Sequence, residues 1–140
     1  MKRIWLDIAV GITLTALLGF GSTYIFQLNN DARERELSSA LAMRGQSLST
    51  DLGCVACHTV DGSPGVGPSW QDMWGRTETL ENGTTVVVNE DYFRESLKDP
   101  YRKIVQGYPK VMLRYFLEEE EIGALMEFAK QLSVPETQAE

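Results

Sequence analysis

The chain has 140 residues, with 13 Lys or Arg against 20 Asp or Glu, so its formal net charge at pH 7 is −7. This acidic balance argues against nucleic acid as a partner. The length predicts one small folded domain plus an anchor, because about 100 residues beyond the N-terminal segment are enough for a single core.

The N-terminal segment is predicted to cross a membrane once. Residues 8–28, IAVGITLTALLGFGSTYIFQL, contain no charged side chain and as a helix would cover about 30 Å, the hydrocarbon thickness of a bilayer. A cleaved signal peptide is the alternative, because Lys2 and Arg3 precede the run. The run is longer than a signal-peptide core and lacks a small-x-small cleavage site. We therefore expect residues 1–28 to be an uncleaved transmembrane anchor with a cytoplasmic N-terminus.

Beyond the anchor we expect a short, polar and helical linker at 29–37, a folded domain at 38–133 and a C-terminal tail at 134–140. The domain should be mostly α, with a first helix from about Ser38 to Leu52. The next stretch, 59–75, is rich in glycine and proline and should be irregular. A hairpin is predicted at 79–88, because Asn-Gly suits a two-residue type I′ turn.

Two further helices are predicted after the hairpin. The first is capped by Asn89 and ended by Pro100. Residues 101–106 are expected to form a short turn of helix, and the chain is expected to become a loop at Gly107-Tyr108-Pro109. The last helix, 118–132, starts with four glutamates that match the helix dipole, and its apolar residues recur with helical spacing: Ile122, Leu125, Phe128, Ala129 and Leu132.

Both cysteines and the single histidine of the chain lie in one segment, Cys54-Val55-Ala56-Cys57-His58. Structural zinc needs about four ligands in two spaced groups, and a redox dithiol needs a βαβ setting. A plain disulfide leaves His58 without a role. Covalent haem uses all three side chains, since the two thiols form thioethers and the histidine that follows binds the iron. The motif therefore predicts one covalently attached haem c, with residues 29–140 on the periplasmic or outer face, where such haem is attached.

With a single histidine, the second axial ligand has to be another residue type, and a methionine thioether is the strongest candidate. Met43 and Met126 are expected to pack in the core, and Met73 lies in the loop that follows His58. Met112 lies in a loop before the last helix, far enough along the chain to reach the opposite face of the haem. We expect His58 and Met112 to bind the iron.

Residues 38–133 resemble a class I cytochrome c. The segments that carry the resemblance are Gly67-Pro68-Ser69, Gly75-Arg76, LENGTTVVVNEDYFRESLKDP and KIVQGYPKVM. They are similar to the cytochrome c domains of caa-type oxidase subunit II, and the anchored architecture is similar to monohaem cytochrome subunits of alternative complex III. The implied fold is a transmembrane helix followed by a class I cytochrome c domain with a small β-hairpin insertion.

The resemblance also implies roles for individual residues. The carbonyl of Pro68 would accept a hydrogen bond from His58, and Gly45 and Phe128 would mark the crossing of the first and last helices. Three residues would pack on the haem or contact its propionates: Trp70, Arg76 and Tyr108. Two departures stand out: Leu113 occupies the position where the similar domains usually have proline, and no residues are available for the copper site of subunit II.

These features predict an electron-transfer protein rather than an enzyme. It would carry single electrons in a respiratory or photosynthetic chain, as a subunit of a quinol-oxidising or oxidase complex. An independent membrane-tethered carrier and a haem-based gas sensor are the alternatives. Its partners would be other electron-transfer subunits or redox proteins in the membrane.

Basic residues are concentrated around the predicted methionine loop, in residues 94–114. Two interpretations are open: a positive haem edge that docks on an acidic partner, or scattered solvated charges. The residues concerned are Arg94, Lys98, Arg102, Lys103, Lys110 and Arg114.

Overall fold

The computed structural model describes residues 2–133, and for residues 2–18 it describes the backbone alone. By their internal contacts, the residues form two compact units, Met1–Leu37 and Ser38–Glu140. The predicted tail at 134–140 lies outside the described residues.

The first helix, α1, is a single helix at Lys2–Asp51. The linker at 29–37 is helical, as expected, and the predicted start of a separate helix at Ser38 is wrong, because Ser38 lies within α1. Residues 29–37 contain neither glycine nor proline, and the side chain of Gln27 donates a 3.0 Å hydrogen bond to Asp31 one turn later, so nothing interrupts the helix.

Among the residues whose side chains are described, no helix is both long and apolar enough to cross a membrane. Most of the predicted anchor at residues 1–28 lies outside that part of the chain, and the anchor stays a prediction.

Within the second unit, the end of α1 packs against α3 (Glu119–Gln131) through small residues. Ala42, Gly45 and Ser49 form the buried side of α1. A Cβ on Gly45 would collide with the backbone of Ala124 and lie 2.9 Å from the Cβ of Phe128, so the predicted close crossing of the two helices is confirmed. The expectation that Met43 packs in the core is wrong, because its side chain is 64% exposed.

Replacing Gly45 with alanine should therefore destabilise the domain, although alanine is the better helix former. We expect a loss of about 2–3 kcal/mol in the free energy of unfolding, because the added methyl group meets backbone atoms that cannot move aside freely. Gly123 is the matched control: it also lies in a helix, a Cβ there meets nothing within 4 Å, and Gly123→Ala should be neutral or stabilise by up to about 1 kcal/mol. Chemical denaturation of both variants measures the difference; equal effects would contradict the proposed crossing.

The hairpin pairs β1 (Thr77–Thr79) with β2 (Thr85–Val87) in antiparallel register, with Thr79 opposite Thr85. The predicted type I′ turn is wrong, because it requires a positive φ at both Asn82 and Gly83, and of these two residues only Gly83 has one, at 80°. The Asn82 side chain instead accepts a 3.0 Å hydrogen bond from the backbone N–H of Thr84. This bond stabilises a longer loop, in which Leu80 N–H donates to the carbonyl of Thr84.

The predicted helix capped by Asn89 is confirmed as α2 (Glu90–Lys98), and the Asn89 side chain accepts a hydrogen bond from Tyr92 N–H. Residues 101–106 form no helix, because the chain there pairs with the hairpin: Val105 forms a bridge with Leu80. Predicted α3 is confirmed, with Glu118 and Glu121 forming a capping box. The second unit is mostly helical with one small two-stranded sheet.

Candidate functional site

The cysteine and histidine side chains come from one tight turn at the end of α1. Gly53, with φ of 76°, ends the helix and is followed by a single 3-10 turn at Cys54–Ala56. The backbone N–H groups of Cys57 and His58 both donate to the carbonyl of Cys54, at 3.1 and 2.9 Å. Both cysteines are free, with Cys54 buried and Cys57 half-buried. The turn therefore presents two thiols and an imidazole within five residues.

The orientation of His58 is fixed by Pro68. The ring nitrogen Nδ1 lies 2.8 Å from the Pro68 carbonyl oxygen, which can only accept, so Nδ1 carries the proton and Nε2 keeps a free lone pair. Burial lowers the pKa of His58, and the hydrogen bond to Pro68 opposes that shift only in part. The imidazole is thus held neutral, in the tautomer that binds a metal through Nε2.

Gly67 makes room for this histidine. A Cβ on Gly67 would lie 2.5 Å from Cε1 and 2.8 Å from Nδ1 of His58, closer than any side chain tolerates. The backbone N–H of Gly67 donates to the Cys57 carbonyl at 2.9 Å, which fixes the segment beside the motif. Residues 67–68 therefore pack closely against the imidazole ring of His58.

Trp70 joins the histidine to the hydrophobic core. Its side chain is buried, and its ring centroid lies 5.6 Å from that of His58. The same indole contacts Phe93 of α2 and Phe128 of α3, at centroid distances of 5.9 and 6.0 Å. The core thus helps to hold the histidine in place.

A cavity of about 330 Å³ opens beside this turn, large enough for a flat organic cofactor. All of the site residues expected from the sequence line it: Cys54, Cys57, His58, Pro68, Trp70, Arg76, Tyr108 and Met112. The structure therefore brings together residues that are up to 58 positions apart in the chain.

Two methionines line this cavity, Met73 and Met112. Met73 is buried in the core, and its backbone N–H donates to the carbonyl of Trp70, whose ring contacts His58. Met73 thus belongs to the segment that supports the histidine. Met112 is half-buried and comes from a separate loop that packs against the core. Met112 is therefore the methionine that could serve as a second ligand to a haem iron, and its ligation stays a prediction.

Arg76 and Tyr108, for which the resemblance implies haem contacts, both lie at the wall of the cavity. The Arg76 guanidinium donates to Glu78 at 2.7 Å and to the Ser69 carbonyl at 3.3 Å, so it also braces the segment that carries Pro68. Tyr108 is half-buried and begins the loop that leads to Met112. Contact of either residue with a propionate stays a prediction.

Sequence reasoning missed the close contact of Gly67 with the imidazole and the part played by Tyr115. Tyr115 lines the cavity, and its hydroxyl donates a 3.0 Å hydrogen bond to the carbonyl of Leu52, just before the motif. The Gly-Pro pair at 67–68 could have indicated the contact between Gly67 and the imidazole ring. A tyrosine in an irregular segment gives no comparable indication of the hydrogen bond from Tyr115 to Leu52.

The basic residues around the methionine loop are paired with carboxylates of the same chain. This pairing reduces the positive field that a partner would meet, and it favours the interpretation of scattered solvated charges. Arg94 and Lys98 pair with Glu119, Arg102 and Lys103 with Glu95, Lys110 with Glu81, and Arg114 with Asp99.

Residues 42–133 match the family model described as cytochrome c. The chain belongs to the cytochrome c family. A search of curated proteins found no match. Family membership implies one covalently attached haem c, with Cys54 and Cys57 at the required spacing. The cytochrome is a haem-based electron carrier.

The residues present fit this cofactor. The free thiols of Cys54 and Cys57 can form the thioethers, and the oriented neutral imidazole of His58 can bind iron. When bound, haem supplies an iron that gains and loses one electron. The protein's own contribution is to orient the histidine, to surround the cofactor with apolar side chains such as Trp70, and to exclude water.

Proposed function

We propose that this cytochrome is a membrane-anchored monohaem electron-transfer protein of a respiratory or photosynthetic chain. It acts as a subunit of a quinol-oxidising or oxidase complex, with other redox subunits in the membrane as its partners. The observation that supports electron transfer as the function is that His58 and Met112 line the same cavity. With His58 and Met112 both bound to it, the haem iron would exchange electrons and would have no position left for a substrate.

The proposed anchor is the uncharged run at residues 8–28. Lys2 and Arg3 keep the N-terminus in the cytoplasm, and the haem domain lies on the periplasmic or outer face of the membrane. An independent tethered carrier has the same anchor and the same haem, and it differs only in purifying without other subunits.

A gas sensor is the second candidate, and one observation favours it. Leu113 follows Met112 and is 67% exposed, whereas the similar domains usually have a more rigid proline at this position. A methionine in a loosely held loop can be displaced from iron by an external ligand. Binding of carbon monoxide to the reduced protein, without added denaturant, is the result that separates this candidate from an electron carrier.

Membrane anchoring is tested with charged residues in the apolar run. We expect the full-length protein to stay in the membrane fraction after an alkaline wash, and Leu14→Arg/Leu18→Arg to be released or degraded, because each arginine costs about 2.5–3.5 kcal/mol at the centre of a span. Leu37→Arg is the matched control, since Leu37 lies beyond the run and is 62% exposed. Wild-type protein in the wash, or an unaffected double variant, would contradict the anchor.

Complex membership is tested by purifying the tagged full-length protein in a mild detergent and identifying the proteins that accompany it. A stable set of membrane redox subunits in constant proportion supports the subunit function. A haem protein that purifies alone contradicts it and supports the independent carrier.

A further inference from the structure

The loop that carries Met112 is held by its two ends. At the start, Tyr108 N–H donates to the Val105 carbonyl at 3.2 Å, and at the end Tyr115 N–H donates to the Leu97 carbonyl at 2.9 Å. Between them, across residues 109–114, the described backbone–backbone hydrogen bonds include only a local one from Val111 to Pro109. Backbone hydrogen bonding therefore does little to fix Met112 itself.

Two ion pairs flank the methionine at equal distances along the chain. Lys110, two residues before Met112, lies 3.0 Å from Glu81, measured from Nζ to Oε2. Arg114, two residues after it, lies 3.2 Å from Asp99, measured from Nη2 to Oδ1. Each pair joins one arm of the loop to a different part of the domain.

The two residues that carry the carboxylates both have a backbone N–H group that donates a hydrogen bond. Glu81 lies in the hairpin loop, and its N–H donates to the Ile104 carbonyl at 2.9 Å. Asp99 is the C-terminal cap residue of α2, and its N–H donates to the Glu95 carbonyl at 2.7 Å. In each pair the carboxylate thus comes from a residue with a hydrogen-bonded backbone N–H, and the basic side chain comes from the loop.

We propose that these two ion pairs act as a clamp that keeps Met112 on the haem iron, in place of the stiffness that a proline after the methionine would supply. Lys110, Glu81, Arg114 and Asp99 are positioning residues in this proposal, which rests on Met112 being the axial ligand. All four side chains are about half exposed, at 45–59%. Each pair should therefore change the equilibrium between bound and detached methionine by only about two- to fivefold, and salt should weaken it.

The test is the affinity of imidazole for the oxidised full-length protein, because imidazole binds the iron only when Met112 has left it. Glu81→Gln and Asp99→Asn keep the side-chain shape and remove the charge. We expect each to raise the apparent imidazole affinity about two- to fivefold, and the double variant to raise it by about the product of the two factors. Added salt should raise the affinity of the wild type and have little effect on the double variant.

Glu119→Gln is the matched control. Glu119 pairs with Arg94 and Lys98 between α2 and α3, and neither of these pairs involves a residue of the segment 109–114; Glu119 is also exposed. We expect this variant to leave imidazole affinity unchanged. An equal rise in Glu119→Gln would overturn the proposal, because the effect would then reflect general loss of stability.

Charge reversal gives a readout that a merely structural role would not produce. Lys110→Glu places two carboxylates opposite each other and should raise imidazole affinity more than Glu81→Gln does. The swap Glu81→Lys/Lys110→Glu should bring the affinity back to within about twofold of the wild type. Failure of the swap to restore affinity contradicts the clamp.

Failure of the clamp can be told apart from failure of the ligand assignment. If the oxidised wild type lacks the far-red sulfur–iron absorption band before imidazole is added, methionine ligation itself is wrong. If the band is present and the variants at Glu81 and Asp99 leave imidazole affinity unchanged, only the clamp is wrong.

Discussion

Replacing Met112 with alanine is expected to remove the far-red sulfur–iron band of the oxidised cytochrome and to convert its haem to a form that binds external ligands. The reduction potential should fall by on the order of 0.1 V, because a thioether ligand raises the potential and axial ligands tune haem potentials over about 0.8 V. Absorption spectra of the oxidised and reduced protein, with a redox titration, measure both effects.

Met73 provides the control, because it is the other methionine at the wall of the same cavity. Met73→Leu conserves volume in the core and should cost less than about 1.5 kcal/mol of stability. It should keep the sulfur–iron band and nearly the wild-type potential. A band that persists in Met112→Ala and disappears in Met73→Leu would reverse the assignment.

Replacing Gly67 with alanine is expected to disrupt the packing that holds the imidazole ring of His58 in position. The added Cβ would lie 2.5–2.9 Å from three atoms of the imidazole ring, so either the ring or the segment that carries the Pro68 carbonyl has to shift. We expect a loss of at least about 2 kcal/mol in the free energy of unfolding and a large fall in the yield of low-spin haem protein, because the hydrogen bond that fixes the His58 tautomer is lost.

Val66→Ala is the neighbouring control for that change. Val66 also lines the cavity, but it is 48% exposed, so its truncation should alter stability by no more than about 0.5 kcal/mol. Haem content, spin state and denaturation of the two variants are to be compared side by side. Normal haem content and stability in Gly67→Ala would show that the close contact with His58 is not required.

The parts of this site that sequence predicted are those set by local spacing. Cys54, Cys57 and His58 fall in five consecutive residues, so their joint chemistry needs no knowledge of the fold. The helices α2 and α3 were likewise predictable, because an Asn cap, a run of glutamates and a regular apolar spacing all act within one or two turns.

The parts that sequence did not predict depend on contacts between distant segments. The ion pairs of Lys110 with Glu81 and of Arg114 with Asp99 follow from the packing of the methionine loop beside the hairpin and α2. The sequence alone showed only clustered positive charge. The predicted type of the hairpin turn was wrong for a related reason. Leu80, just beyond β1, pairs with Val105, so the loop around Asn82 is determined by tertiary contacts as well as by its own residues.

The most direct test of the central claim is the absorption spectrum of the oxidised and reduced full-length protein, recorded before and after adding carbon monoxide. Ligation by His58 and Met112 predicts a low-spin oxidised form with the far-red sulfur–iron band and a reduced form that carbon monoxide leaves unchanged. A high-spin oxidised form and a spectrum shifted by carbon monoxide would contradict an electron carrier with both axial positions filled.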